Sequence, residues 1–201
     1  MNKGVIAVIS GPSGVGKGTI CNYLTENYDD FFLSVSATSR APRPNEVDGI
    51  HYHFKTPQQF QEMIDNDEFL EYAGYVDKFY GTPKAPCYEN INKGINAILE
   101  IEIQGGMMVK EKEPDTVMIF VVPPSMEELE KRLRGRGTET EEVILQRLAR
   151  AKEELLCMKD YEYIVVNNSV EEAAEQIRSI LACESLKTKN MISKTEKELG
   201  L

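Results

Sequence analysis

The stretch Val5-Ile6-Ala7-Val8-Ile9-Ser10-Gly11-Pro12-Ser13-Gly14-Val15-Gly16-Lys17-Gly18-Thr19-Ile20 decides the fold. Val5 to Ile9 is an apolar, largely β-branched run, the composition of a strand buried on both faces. Ile20, Tyr23, Leu24 and Tyr28 then recur at helical spacing. Glycines and a lysine between a strand and a helix are the context required of a Walker A loop. Glycines let successive backbone N–H groups turn toward one anion, the helix aims its positive end at the same point, and lysine adds a point charge. Gly11, Pro12, Ser13, Gly14, Val15, Gly16, Lys17, Gly18 and Thr19 are therefore expected to hold a nucleoside triphosphate. A turn that merely joined strand to helix would need neither the lysine nor three glycines in this register. The loop departs from the usual pattern at one position. Gly18 stands where Ser or Thr commonly holds Mg²⁺, which leaves that contact to Thr19 or to water.

Outward from the loop, short apolar runs alternate with helix patterns. Phe31 to Ser36, Ala97 to Ile103, Thr116 to Val122 and Tyr161 to Val166 read as further strands. Ser125-Met126-Glu127-Glu128 and Ser169-Val170-Glu171-Glu172 read as capping boxes that open helices. The alternation predicts an α/β chain with a mostly parallel five-stranded core sheet covered on both faces, in three layers. Two segments interrupt it. From about 37 to 83 the chain gives Arg-Ala-Pro-Arg-Pro, then Ile50, Tyr52 and Phe54 in strand alternation, a short helix after Thr56-Pro57, and a strand near Phe69 to Val76. This reads as an inserted small α/β subdomain. From about 125 to 159 two helix patterns joined by Gly135-Arg136-Gly137-Thr138 carry most of the arginines, as a mobile helical lid would. The core is then about 1–36, 84–124 and 160–185, and a polar tail of about 186–201 reads as a frayed helix end.

The chain has 201 residues, 41% hydrophobic and 28% charged, with a formal charge of -10, values that exclude collagen, coiled coil and disulfide scaffolds. No apolar run approaches the roughly 18 residues of a membrane span, and the N-terminus has no signal core, so a cytoplasmic location without membrane association is expected. The acidic balance argues against nucleic acid as a partner. Cys21, Cys87, Cys157 and Cys183 have no paired spacing and read as reduced, structural thiols.

Three further clusters carry chemistry. Arg40 and Arg43, held by Pro42 and Pro44, offer two guanidinium forks to one phosphate. Glu100 and Glu102 fall on one face of the strand reading, and at its carboxyl end suit Mg²⁺ with its waters or an acceptor nucleotide. Arginines 132, 134, 136, 147 and 150 crowd the lid of an otherwise acidic chain, where a closing segment can stabilise a migrating phosphoryl group and exclude water. Arg132, Arg134 and Arg150 fit exposed helix charges paired with Glu128, Glu154 and similar neighbours. His51 and His53 alternate with Ile50, Tyr52 and Phe54 and receive no catalytic role.

The loop from Gly11 to Lys17, Ser36 through Pro44, Gly49 to Phe54, Tyr80-Gly81-Thr82, Glu100 through Gly105, Leu133 through Thr140 and Val166-Asn167 stand in the order found in guanylate kinases, and the chain resembles that family from about residue 4 to 185. The resemblance implies transfer of the ATP γ-phosphate to GMP, and to dGMP, in purine nucleotide metabolism, with Mg²⁺ as cofactor and a monomer or a homodimer as the working form. It places Arg40, Arg43, Tyr52 and Tyr80 around the GMP phosphate and Ser36, Glu71 and Thr82 around the base, with Glu100 at the acceptor or the metal. It singles out Arg136 and Arg147 as the catalytic lid pair beside Lys17 and Arg43, and sets Asn167 near the ATP adenine. The family usually has at least one Asp between residues 100 and 102, where both carboxylates here are Glu. The chemistry agrees, because a carboxylate can accept guanine N1–H and the exocyclic amine together, and hydroxyls can donate to O6. Two other readings stand beside this one. A silent interaction module of the same fold would tend to lose Lys17 or the lid arginines; a kinase for another phosphorylated acceptor would not need Ser36, Glu71 and Thr82.

Overall fold

Residues 3–75, 77–135, 137 and 140–201 are described in a computed structural model of the chain. The first strand, β1 (Ile6–Ser10), is the centre of a five-stranded sheet. Around it lie β2 (Phe31–Leu33), β7 (Asn96–Glu100), β8 (Val117–Val122) and β9 (Tyr163–Val166), in the order β2-β7-β1-β8-β9 and parallel throughout. Alternate residues of β1 feed two separate cores. Ala7 and Ile9 pack with Ile20, Cys21 and Leu24 of helix α1 (Lys17–Asn27) and with Ala173, Ala174, Ile177 and Leu181 of α7 (Val170–Ser185). Ile6 and Val8 pack with Cys87 and Ile91 of α3 (Lys84–Asn92) and Val109 of α4 (Ile103–Lys112). Each fully buried Ile, Leu or Phe in these layers contributes about 1.5–3 kcal/mol, so the two faces together anchor the loop that follows β1.

The second sheet comes from one continuous segment. Strands β3 (Ala37–Thr38), β4 (His53–Phe54), β5 (Phe69–Tyr75) and β6 (Lys78–Pro83) lie in the order β4-β3-β6-β5, and α2 (Pro57–Asp65) closes it through Phe60, which stacks on Phe69 at 4.6 Å. Thr56 and Gln59 form a reciprocal capping box and Pro57 opens the helix, as its sequence requires. The segment joining β8 to β9 is helical: α5 (Met126–Gly135) and α6 (Glu141–Leu155) share a small core of Leu129, Leu133, Ile144 and Ala151, followed by a 3₁₀ turn (Leu156–Asp160). Ser125 and Ser169 accept N–H groups of Glu128 and Glu172 at 3.2 Å, as cap residues do.

Several sequence expectations need correction. The strand expected to run from Ala97 to Ile103 ends at Glu100, because Ile103 already opens α4 and Glu102 is its cap residue. The alternation argument for Glu102 therefore fails. Ile50 is not a strand residue. It stands 67% exposed in a turn where its N–H and that of His51 both reach the Val47 carbonyl. Strand β6 was not anticipated as an element. The tail is a formed helix, α8 (Thr188–Leu199), ended by Gly200 at φ 71° and tied back by Lys189 to Asp115. Cys183 is exposed, so burial explains only Cys21 and Cys87 among the four thiols. Among the described residues, no helix is long and apolar enough to cross a membrane.

Candidate active site

The phosphate loop is held from below by its neighbours and across its mouth by its own Lys17. Gly16, at φ 96°, leads into α1; a Cβ there would stand 2.7 Å from Asn167 Nδ2, so the left-handed backbone and the lack of a side chain are both required. Asn167 is 2% exposed and donates Nδ2–H to the Val15 carbonyl at 2.7 Å. Arg132 adds donations to the Asn167 carbonyl at 3.0 Å and the Val15 carbonyl at 3.5 Å. Arg132 thus does more than pair with Glu128, the role expected from spacing, although that pair is also formed at 3.1 Å. Lys17 donates to the Gly11 carbonyl at 2.6 Å and the Pro12 carbonyl at 3.3 Å. Burial lowers its pKa, and the Glu100 carboxylate opposes the fall.

A cavity of about 680 Å³ opens over this loop. Gly11, Ser13 and Lys17 form one wall, and Arg147, Arg150 and Glu154 of α6 face them. Arg147 and Lys17 are therefore brought to one space. Glu154 accepts the Ser13 N–H at 3.4 Å and the Arg150 Nε–H at 2.7 Å, so an acidic group already rests against the anion-binding backbone.

A second cavity, of about 440 Å³, adjoins it through shared residues Glu102, Gln104 and Arg150. Its walls include Ser36, Tyr52, Glu71, Tyr80, Gly81 and Glu100. Glu71 and Thr82 face each other across the β5–β6 pair, and Thr82 Oγ1 donates to Glu71 Oε1 at 2.7 Å. Glu71 is 6% exposed, and burial raises its pKa, with the Thr82 hydroxyl opposing the rise. Gly105 of α4 lies against the same carboxylate: a Cβ there would stand 3.2 Å from Glu71 Oε2. Tyr52 packs edge-on to Tyr80 at 5.9 Å, and the Arg40 guanidinium lies 5.1 Å from the Tyr52 ring centroid.

Other expected residues are placed less directly. Arg43 is exposed and lines neither cavity; its backbone N–H donates to Glu46 at 2.7 Å. Thr19 is exposed on α1. Glu102 is exposed and reaches Arg150 at 3.5 Å. Arg136 lies outside the described residues. Glu46 has no role in the sequence pattern, and Gln104 and Gly105 enter it only as part of a family motif; Arg150 forms its expected pair with Glu154 at 2.7 Å and also lines both cavities. Gly105 carried a signal, since glycine is costly in a helix unless space demands it.

Gly18 leaves room beside an acidic group, because a Cβ there would lie 3.4 Å from both Glu100 carboxylate oxygens. Glu100 and Thr19 supply only oxygen donors, the chemistry a hard divalent cation prefers. Burial raises the Glu100 pKa and Lys17 lowers it.

Comparison with known proteins accords with this arrangement. The family model described as guanylate kinase matches residues 3–184. A guanylate kinase of Clostridioides difficile is 50% identical over 201 residues, covering 98% of each chain, and one of Clostridium perfringens is 48% identical over 98% of this chain and 94% of its own length. The crystal structure of guanylate kinase from Anaplasma phagocytophilum superposes with a TM-score of 0.75 at 34% identity, covering 98% of this chain and 95% of that one. With a parallel sheet, a phosphate loop and an adjoining cavity lined by Glu71 in place, the chain belongs to the guanylate kinase family.

Proposed function

We propose a division of labour among the two cavities for the phosphoryl transfer from ATP to GMP, the reaction of this ATP:GMP phosphotransferase. ATP lies along Gly11 to Thr19, its outer phosphates on the loop N–H groups and Lys17, with Asn167 bracing the loop beneath the base. GMP enters the second cavity with guanine against Glu71, Ser36 and Thr82, and its phosphate toward Arg40, Arg43, Tyr52 and Tyr80. Ionised Glu71 accepts N1–H and the exocyclic amine, a pair that adenine lacks, so AMP leaves the carboxylate unpaired. A GMP phosphate oxygen attacks the γ-phosphorus in line, the bond to the β-phosphate oxygen breaks, and ADP leaves with that electron pair. No covalent enzyme intermediate is required, since the attacking oxygen is already ionised.

Lys17, Arg43, Arg136 and Arg147 stabilise the charge on the migrating group, and closure of the helical segment 125–159 over both nucleotides excludes water. Mg²⁺, when bound with ATP, neutralises phosphate charge and would be held on this chain by Glu100 and Thr19 through water. The protein acts without membrane or nucleic acid as partner, in the cytoplasm, on GMP and dGMP. The observation that carries the reading is the buried Glu71 carboxylate, hydrogen-bonded by Thr82 and facing a cavity that adjoins the phosphate loop. The test is ADP release from Mg·ATP with GMP, dGMP, AMP or no acceptor. Turnover with the two guanine nucleotides alone is expected; equal turnover with AMP would remove Glu71 from base selection.

A further inference from the structure

Around the two arginines proposed for the acceptor phosphate, the chain reads Arg40-Ala41-Pro42-Arg43-Pro44-Asn45-Glu46. The prolines have no N–H, so Arg43 holds the only backbone donor from 42 to 44. Glu46 N–H bonds to the Arg43 carbonyl at 3.1 Å, Pro44 takes the second position of that turn and Asn45, at φ 72°, the third. Proline followed by a left-handed Asn is the chemistry of a type II turn. The turn folds the Glu46 side chain back over the residues before it. Its Oε2 accepts the Arg43 N–H at 2.7 Å and Arg40 Nη1–H at 2.6 Å, while Oε1 accepts Arg40 Nη2–H at 2.6 Å.

We propose that Glu46 is a positioning residue for the acceptor phosphate: one carboxylate fixes the end of the Arg40 fork and the backbone of Arg43, and so sets the distance and orientation between the two arginines. Arg40 has five donors. Glu46 and the Ala41 carbonyl, at 2.9 Å, take three of them along the far end. Two donors remain, on Nε and Nη2; the Tyr80 hydroxyl is also in hydrogen-bond reach of this guanidinium, so a phosphate there would share that edge with Tyr80. Tyr52 and Phe54 lie under the guanidinium at 5.1 and 5.7 Å, and the Arg40 side chain is only 12% exposed, which leaves little freedom for another orientation. The Arg40 fork holds the Glu46 pKa down to about 2, so the grip persists throughout the working pH range. A carboxylate beside a phosphate site could also act as a rival anion for Arg40; binding both the guanidinium and the neighbouring main chain favours positioning instead.

This inference rests on the placement of the GMP phosphate at Arg40, which Arg40→Ala tests on its own. Glu46→Gln is compared with wild type by steady-state kinetics and by calorimetry with GMP and with guanosine, which has the base but no phosphate. The expected result is a rise of about tenfold or more in KM for GMP, with KM for ATP within about twofold and guanosine affinity unchanged. In an Arg40→Ala background, Glu46→Gln adds a smaller loss than it causes alone. Equal weakening of GMP and guanosine would mean general damage to the loop and would overturn the inference. So would unchanged GMP binding, or tighter GMP binding, which would identify Glu46 as a competing anion. If Arg40→Ala itself leaves GMP binding intact, the placement of the phosphate fails, not merely the role of Glu46.

Discussion

The two sites proposed for the nucleotides are built by opposite means. The loop proposed for the donor is a run of nine consecutive residues whose proposed anion-binding groups are mainly backbone N–H, and its support comes from beneath through Asn167 and Arg132. The acceptor cavity draws side chains from β5, β6, α4 and the segments before β3 and β4, and these groups bind one another as well as facing the cavity. Backbone sites tolerate most side-chain changes and depend on one or two special positions. A cavity made of side chains has several points of failure, each specific to its ligand.

The largest expected effect lies on the donor side. Lys17→Ala removes the one side-chain charge the loop contributes, and kcat should fall roughly 100- to 1,000-fold, as when a single stabilising donor is lost at developing charge. Near-normal kcat would show that the backbone alone carries the donor site. Glu71→Gln comes next. Loss of charge-assisted hydrogen bonds to the base, about 1.5–3 kcal/mol, should raise KM for GMP about 10- to 100-fold and leave KM for ATP unchanged. Because burial raises the Glu71 pKa above its ordinary 4.5, and only the ionised form accepts both guanine donors, kcat/KM for GMP should fall with acid at a pH above the usual carboxylate range. That limb should vanish in Glu71→Gln; its persistence would assign it to another group. The smallest effect separates stability from recognition. Gly105→Ala places a Cβ 3.2 Å from Glu71 Oε2 while giving α4 a better helix former. Thermal stability should hold or rise, and KM for GMP should increase about three- to tenfold as the carboxylate shifts, a cost of about 1 kcal/mol. A fall in stability with unchanged KM would mean that Gly105 serves packing alone.

The same contrast governs what could be read from the residues. The donor loop is contiguous, and its strand, glycines, lysine and helix are local signals that the fold reproduces from Ile6 to Asn27. The parallel sheet was legible for the same reason, because each strand is a short apolar run between helices. The acceptor side depends on pairing between distant segments. Glu71 meets Thr82 only through the β5–β6 register, and β6 carries no strong strand signal of its own in Lys78-Phe79-Tyr80-Gly81-Thr82-Pro83. Glu102 shares a cavity with Glu100, but not as a strand residue: Glu100 to Ile103 alternates as a strand does, whereas β7 ends at Glu100 and helix α4 begins at Ile103. Helix α8 has a readable stop in Gly200 but no side-chain cap at Lys187, so only its end was marked.

The way the second sheet joins the first has a consequence for how such enzymes diversify. Ala37 and Gly81 are partners in the β3–β6 ladder, so the chain leaves the core and returns to it at neighbouring points, about 5 Å apart in such pairs. To the parallel sheet, everything between them is equivalent to a tight hairpin. The segment is a cassette: it can be lengthened, shortened or exchanged for one that reads a different acceptor, with little change in the loop-closure entropy borne by the core. The groups of the core that touch it must change in step, among them Lys84 of α3 against Asp67 and Glu68, and Gly105 of α4 against Glu71.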